Sequence, residues 1–168
     1  MIQLRNVFLL VSLLFMAACG YHLRGSIDLP EGLKSIFLQS ASSQLKKIAK
    51  RSLRSSGGQL VNNAQQAGIV VQVVKERMDR RVLSLSSKGR ANEYELTYFL
   101  DFMLLDTEGN SLAEKQKIEI SRDYFNDQAE ILGKNNEEGV IREEMYRQAV
   151  QSIINRSRIV LEKAEKKQ

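Results

Sequence analysis

The chain has 168 residues, with one cysteine, one histidine, one proline and no tryptophan, and its 25 Lys and Arg outnumber 20 Asp and Glu. A single thiol excludes any internal disulfide, so the fold must stand on its apolar core; a chain of this size can build that core in one domain, burying about two-thirds of its unfolded surface. One histidine leaves almost nothing for a zinc site or a Ser-His-Asp arrangement, and the basic balance points to an anionic partner.

The N-terminus reads as a signal peptide over residues 1–18. Arg5 supplies a short positive region, Val7 to Met16 form an apolar run broken only by Ser12, and Ala17-Ala18 place small side chains before Cys19. The run is shorter than the roughly 20 apolar residues that span a bilayer. Phe15-Met16-Ala17-Ala18-Cys19 resembles the bacterial lipobox, with Met16 where leucine is usual. Cys19 is therefore expected to carry a diacylglycerol thioether as the mature N-terminus. Gly20, which is not the Asp that retains such proteins at the inner membrane, directs it to the outer membrane. A basic surface in that compartment suits an anionic membrane or ligand rather than nucleic acid.

Residues 19–30 carry the only His and Pro and no sustained period, which predicts a linker leading from the anchor. Ser35 to Gln39 reads as a short buried strand. From Ser42, Leu45, Ile48, Ala49 and Leu53 recur at helical spacing with Lys46, Lys47, Lys50, Arg51 and Arg54 on the other faces, and Gly57-Gly58 close the helix. Ile69 to Leu85 forms one long strand, expected to bend or bulge near Asp79. After the turn Ser86 to Arg90, Tyr94, Leu96, Tyr98, Leu100, Phe102 and Leu104 alternate with Glu93, Glu95, Thr97, Phe99, Asp101 and Met103, the clearest strand in the chain. Asp106 to Asn110 is a hairpin turn by composition, and the last strand runs from Leu112 to Tyr124. Ile131 to Asn136 breaks the period, with Asn135 or Asn136 as helix cap. Ile141, Met145, Ala149 and Ile153, flanked by Tyr146, Val150 and Ile154, then stripe a helix to about Leu161, before a charged tail at 162–168.

The order β-α-β-β-β-α predicts an α+β domain over residues 31–161, with two helices packed on one face of a four-stranded mixed sheet. The first strand-helix-strand unit is a parallel crossover, and the next three strands form an antiparallel meander.

Catalytic constellations are sparse. His22 lies three residues from the expected anchor, the only thiol is consumed by lipid, and Gly57-Gly58 lacks the Lys-Ser or Lys-Thr of a phosphate loop. Glu93 and Glu95 imitate a carboxylate pair, but acids alternate on any solvated sheet face. No enzyme, metal or cofactor is expected. The basic residues are more informative: Lys75, Arg77, Arg80, Arg81, Lys88 and Arg90 line one hairpin, Lys115, Lys117 and Arg122 the last strand, and Lys134 the loop after it. Most read as a solvated mixed-charge surface. Lys88, Arg90 and Lys134 sit in or beside turns at element ends, and are the candidates to hold phosphate or carboxylate groups.

Several short runs carry a resemblance along the mature chain. Cys19-Gly20-Tyr21-His22-Leu23-Arg24, Ala91-Asn92-Glu93-Tyr94-Glu95-Leu96, Arg122-Asp123-Tyr124-Phe125, Lys134-Asn135-Asn136-Glu137 and Glu144-Met145-Tyr146 resemble, in order and spacing, the LPS-assembly lipoprotein family (LptE/RlpB). That family is the small subunit of the outer-membrane lipopolysaccharide translocon. The resemblance implies two helices on a four-stranded sheet and no catalysis. It implies a plug in the lumen of the large β-barrel partner LptD that aids barrel folding and binds lipopolysaccharide. Lys134 is the position it carries over first, with Lys88 and Arg90 behind. The competing expectation is a free-standing periplasmic lipoprotein that binds peptidoglycan or inhibits an envelope enzyme.

Overall fold

A computed structural model describes residues 29–125 and 131–166, the side chains of 131–136 and 165 aside. Seven elements follow in order: β1 (Ser35–Gln39), α1 (Ser43–Ser55), β2 (Gln59–Val61), β3 (Ile69–Leu85), β4 (Ala91–Leu105), β5 (Gln116–Phe125) and α2 (Ile131–Glu165). The strands form one mixed sheet in the order β2-β1-β3-β4-β5. β1 is parallel to both β2 and β3, and β3, β4 and β5 form an antiparallel meander. No described helix is long and apolar enough to cross a membrane.

Both helices lie on one face, as their stripes predict. Leu45, Ile48, Ala49 and Leu53 of α1 and Met145, Ala149, Val150, Ile153 and Ile154 of α2 close over Leu96, Tyr98, Leu100, Phe102 and Leu104 of β4, with Ile118 and Ile120 of β5 beside them. The other face of the sheet holds only a small apolar cluster at the β1 end, Ala67, Val70 and Leu105 with Phe37, Val61 and Met103 against them.

The sheet has five strands rather than four. β2 is three residues long, too short to show a period, and its pairing with β1 across α1 is a tertiary event. Residues of the expected linker also join the body: Leu29 is buried in the main core. Close backbone approach fixes the region, because a Cβ on Gly68 would fall 2.4 Å from the Gly32 carbonyl oxygen.

The bulge in β3 is at Val74, not near Asp79. Val73 pairs with Phe102 and Lys75 with Asp101, leaving Val74 unpaired, while the ladder from Lys75 to Val82 runs unbroken past Asp79; a second irregularity follows at Leu83. One extra residue reverses which alternate side chains face the helices. Ile69, Val71 and Val73 point into the core before it, and Glu76, Met78 and Arg80 take the helix side after it. The switch falls where a β-branched run buried on both faces gives way to charge.

Glu76 is thereby placed under the start of α1. Ser42, the N-cap, accepts from the Leu45 amide at 3.1 Å, while its own amide and hydroxyl donate to the Glu76 carboxylate at 2.9 and 2.6 Å. A helix often supplies its own Glu three residues past the cap. α1 has Leu45 there and no acid in its first turn, and borrows the carboxylate from β3. Tyr98 donates to the same carboxylate at 3.0 Å and packs on Tyr146 of α2, ring centroids 4.8 Å apart. Burial, and then the Glu76 charge, push the Tyr98 phenol far up, so it stays a donor.

β5 begins at Gln116 rather than Leu112. Ser111 Oγ donates to the Ala113 carbonyl and Gln116 Nε2 to that of Glu114, local bonds that compete with the ladder. α2 begins at Ile131, so neither Asn135 nor Asn136 caps it, and it runs to Glu165 past Leu161. Propensity penalties of a few tenths of a kcal/mol per residue do not interrupt a helix that is docked further along.

A second clamp docks α2. Glu138 accepts from the Tyr124 hydroxyl, from Arg142 Nε at 2.7 Å and from Arg80 Nη1 at 3.2 Å, and Arg80 lies over the Tyr94 ring at 4.5 Å. Partial burial raises the Glu138 carboxyl, but bonds from Tyr124, Arg142 and Arg80 outweigh it and hold the group below its ordinary value.

Two outcomes follow. Val73, 6% exposed, and Val74, 52% exposed, are adjacent and chemically identical. In urea unfolding, Val73→Ala is expected to cost about 1–3 kcal/mol, whereas Val74→Ala stays within about 0.5 kcal/mol; equal losses would contradict the bulge. Because the folded Glu138 carboxyl is lowered, its stabilisation is present above the unfolded value of about 4.3 and is lost as pH falls through the folded value. Glu138→Gln should therefore lower the melting temperature at pH 7, with the gap closing below about pH 4.

Candidate functional site

Alternation along β3 and β4 divides the basic residues of the hairpin between two faces, and most are engaged there. On the open face, away from the helices, Arg77 pairs with Asp79 at 3.0 Å and lies over Phe99 at 4.5 Å. Arg81 meets Glu95 at 2.5 Å, and Lys115 reaches Asp101 at 3.5 Å. On the helix face Arg80 holds Glu138 and Arg122 donates to Gln148 of α2 at 2.7 Å. These cations stitch the sheet and dock α2 rather than converging on one ligand.

Nor do Glu93 and Glu95 form an acid-base pair. Glu95 is held below the usual carboxylate range, first by the hydrogen bond from Arg81, and Glu93 accepts from Ser84 Oγ at 2.6 Å. An open depression of about 660 Å³ on this face is floored by Thr97, Phe99 and Ser121 between these paired charges. Among the described residues no three of His, Cys, Asp and Glu could hold a metal ion.

Lys88 sits at the apex of the β3–β4 turn, which closes through Ser86 N donating to the Arg90 carbonyl at 2.7 Å and Gly89 N to that of Ser86 at 2.9 Å. Gly89 has φ +72°, a conformation that favours glycine, so the turn holds Lys88 outward on a tight frame. Lys88 is exposed, without an ion-pair partner among the described residues; Arg90 is also exposed. Lys134 is the fourth residue of α2, not a loop residue. Cys19 lies outside the described residues.

The candidates share one end of the molecule. α2 runs opposite to β5: Arg156 donates to the Lys117 carbonyl, Gln148 meets Arg122, and Glu138 meets Tyr124. Its first turns therefore lie at the hairpin end. Measured from the Arg80–Glu138 contact, Lys134 is one helical turn further, about 6 Å, and the apex is six or more strand residues further, about 20 Å. The hairpin overhangs the helix start.

Local periodicity does not reveal what surrounds the apex. Val82, Leu83, Leu85 and Phe125 are all exposed, Leu85 and Phe125 by 64% and 65%, in the last rungs of the ladder before the turn. Only the register shows them together, since they belong to different strands; their one sequence signal is the lack of a polar alternate at Val82-Leu83. The register turns Val82 to the helix side and Phe125 to the open side, so apolar surface lies on both faces of this hairpin end.

This fold recurs in known proteins. Residues 33–157 match the family LptE: Lipopolysaccharide-assembly. The LPS-assembly lipoprotein LptE of Pectobacterium atrosepticum is 26% identical over 157 residues, 92% of this chain and 84% of that protein. A solution structure of lipoprotein B from Nitrosomonas europaea superposes with TM-score 0.64 at 30% identity, over 80% of this chain and 88% of that one. The crystal structure of the rare lipoprotein B from Shewanella oneidensis gives 0.61 at 28% identity, over 79% and 98%. Matched from Leu33, just before β1, to Ser157 in α2, the chain belongs to the LptE family of LPS-assembly lipoproteins.

Proposed function

We propose that this protein is a non-catalytic outer-membrane lipoprotein that sits within the lumen of the LptD β-barrel, aids its folding and binds lipopolysaccharide with its hairpin end. The observation that carries the glycolipid contact is the exposure of Val82, Leu83, Leu85 and Phe125 at the strand ends that lead to the cationic apex at Lys88. Lipopolysaccharide offers acyl chains to the first and phosphates to the second, and Lys and Arg hold phosphate by charge-assisted bonds. Lys134, at the start of α2, and Arg90 add charge to the same end. Cys19 carries the lipid that holds the domain at the inner leaflet.

The assembly reading is tested by purification in mild detergent from an envelope in which the chain has been expressed. A detergent-stable β-barrel partner is expected, and depletion of the chain should trap immature barrel subunit and lower surface lipopolysaccharide. A partnerless monomer retained on cell-wall sacculi, with normal surface lipopolysaccharide on depletion, would sink it. For the ligand, Lys88→Ala combined with Lys134→Ala is expected to weaken lipopolysaccharide binding about tenfold, the effect of losing two solvent-exposed ion pairs of up to about 1 kcal/mol each. Its thermal unfolding should match that of the parent; unchanged binding would move the site off the hairpin end.

A further inference from the structure

The outward face of α1 is cationic in a way that the fold does not require. Lys47, Lys50, Arg51 and Arg54 recur at helical spacing with Lys46 beside them, all five exposed, and α1 contains no acid. They line an open groove of about 480 Å³ with Ser55. Only Arg51 is ion-paired, to Glu143 of α2 at 3.0 Å, and Glu143 is shared with Arg147. Lys46, Lys47, Lys50 and Arg54 have no ion-pair partner among the described residues. Like charges three and four residues apart repel and weaken a helix. α1 is held chiefly by its apolar face and by the borrowed Glu76 cap, and Lys46, Lys47 and Lys50 make no ion pair among the described residues that would hold it.

Its location supplies the second observation. The Leu29 side chain packs where Gly58 has no Cβ, 2.8 Å from an ideal one, and Gln59 N donates to the Lys34 carbonyl at 2.8 Å. The chain therefore reaches the domain beside the Arg54 end of α1. β1 starts there, and β3, parallel to it, runs away toward the hairpin apex, so the cationic face and the arriving chain share the end opposite Lys88. Leu29 is ten positions on from Cys19, a reach of at most about 35 Å.

We propose that in the free lipoprotein, before the domain enters a barrel, this face of α1 rests on the surface of an anionic phospholipid leaflet, its lysines and Arg54 engaging headgroup phosphates. The proposal builds on the reading that Cys19 is lipidated, so that anchor and basic patch act as two signals for one membrane. Its apolar residues are spent in the core, so α1 lies on the headgroups without inserting, and the contact is electrostatic and salt-sensitive.

The test uses the purified mature lipoprotein reconstituted in phosphatidylcholine vesicles, with and without about one-third phosphatidylglycerol. Lysines are acetylated with a water-soluble reagent and read by mass spectrometry, with flotation run in parallel. Labelling of Lys47 and Lys50 is expected to fall about threefold or more on the anionic vesicles and to recover in about 0.5 M salt, with Lys88 unaffected. Equal labelling on both vesicles that float the protein overturns the contact and leaves the anchor standing. Protection on anionic vesicles without flotation on neutral ones keeps the contact and removes the anchor. Protection by lipopolysaccharide micelles but not by phosphatidylglycerol would overturn the proposal by assigning the face to the glycolipid.

Discussion

One unpaired residue in β3 sets the internal order of this domain. Without the bulge at Val74, a strand of seventeen residues would keep a single phase, and the side chains that follow Val73 inward would be Lys75, Arg77 and Asp79. Three charges would then face the helices. With it, Glu76, Met78 and Arg80 take those places, and each is used: Glu76 caps α1, Met78 packs at the core margin, and Arg80 meets Glu138 of α2. A shift of one residue thus connects the two helices to the far half of a strand that buries little apolar surface.

The same phase change explains why charge on this hairpin is mostly structural. Once Arg80 and Arg122 face the helices, they can be retained only with partners, and Glu138 and Gln148 supply them. Arg77, Arg81 and Lys115 face water on the open side, where pairs with Asp79, Glu95 and Asp101 are exposed and individually weak. Lys88 at the apex stands outside this arrangement, with no ion-pair partner among the described residues. The proposed ligand contacts belong to that position.

The domain consequently has two unlike ends. At one, the β3–β4 hairpin extends past β5 and exposes apolar residues around a lysine; at the other, the arriving chain and the cationic face of α1 lie together. The proposed function assigns the ligand to the first end and the tether to the second. The parallel β1–β3 pairing produces that separation, because it sends β3 away from the point where the chain enters.

Much of this was legible from residue order alone. The helix stripes at Leu45 to Leu53 and Met145 to Ile154, the alternation of β4 and the antiparallel meander all express local periodicities, which survive folding because each buries one face. The mixed sheet and the single helix-covered face follow from those periodicities, whereas the family was legible only through the short runs that resemble it. Position beyond the period could not. The partner of β2, the bulge at Val74 rather than Asp79, the loan of Glu76 to α1 and the helical placement of Lys134 depend on contacts between residues far apart in sequence. Sequence determined which faces are apolar and which residue types are available. Tertiary structure decided which face each charge turned to, because a phase shift of one residue leaves composition untouched and redirects every side chain after it.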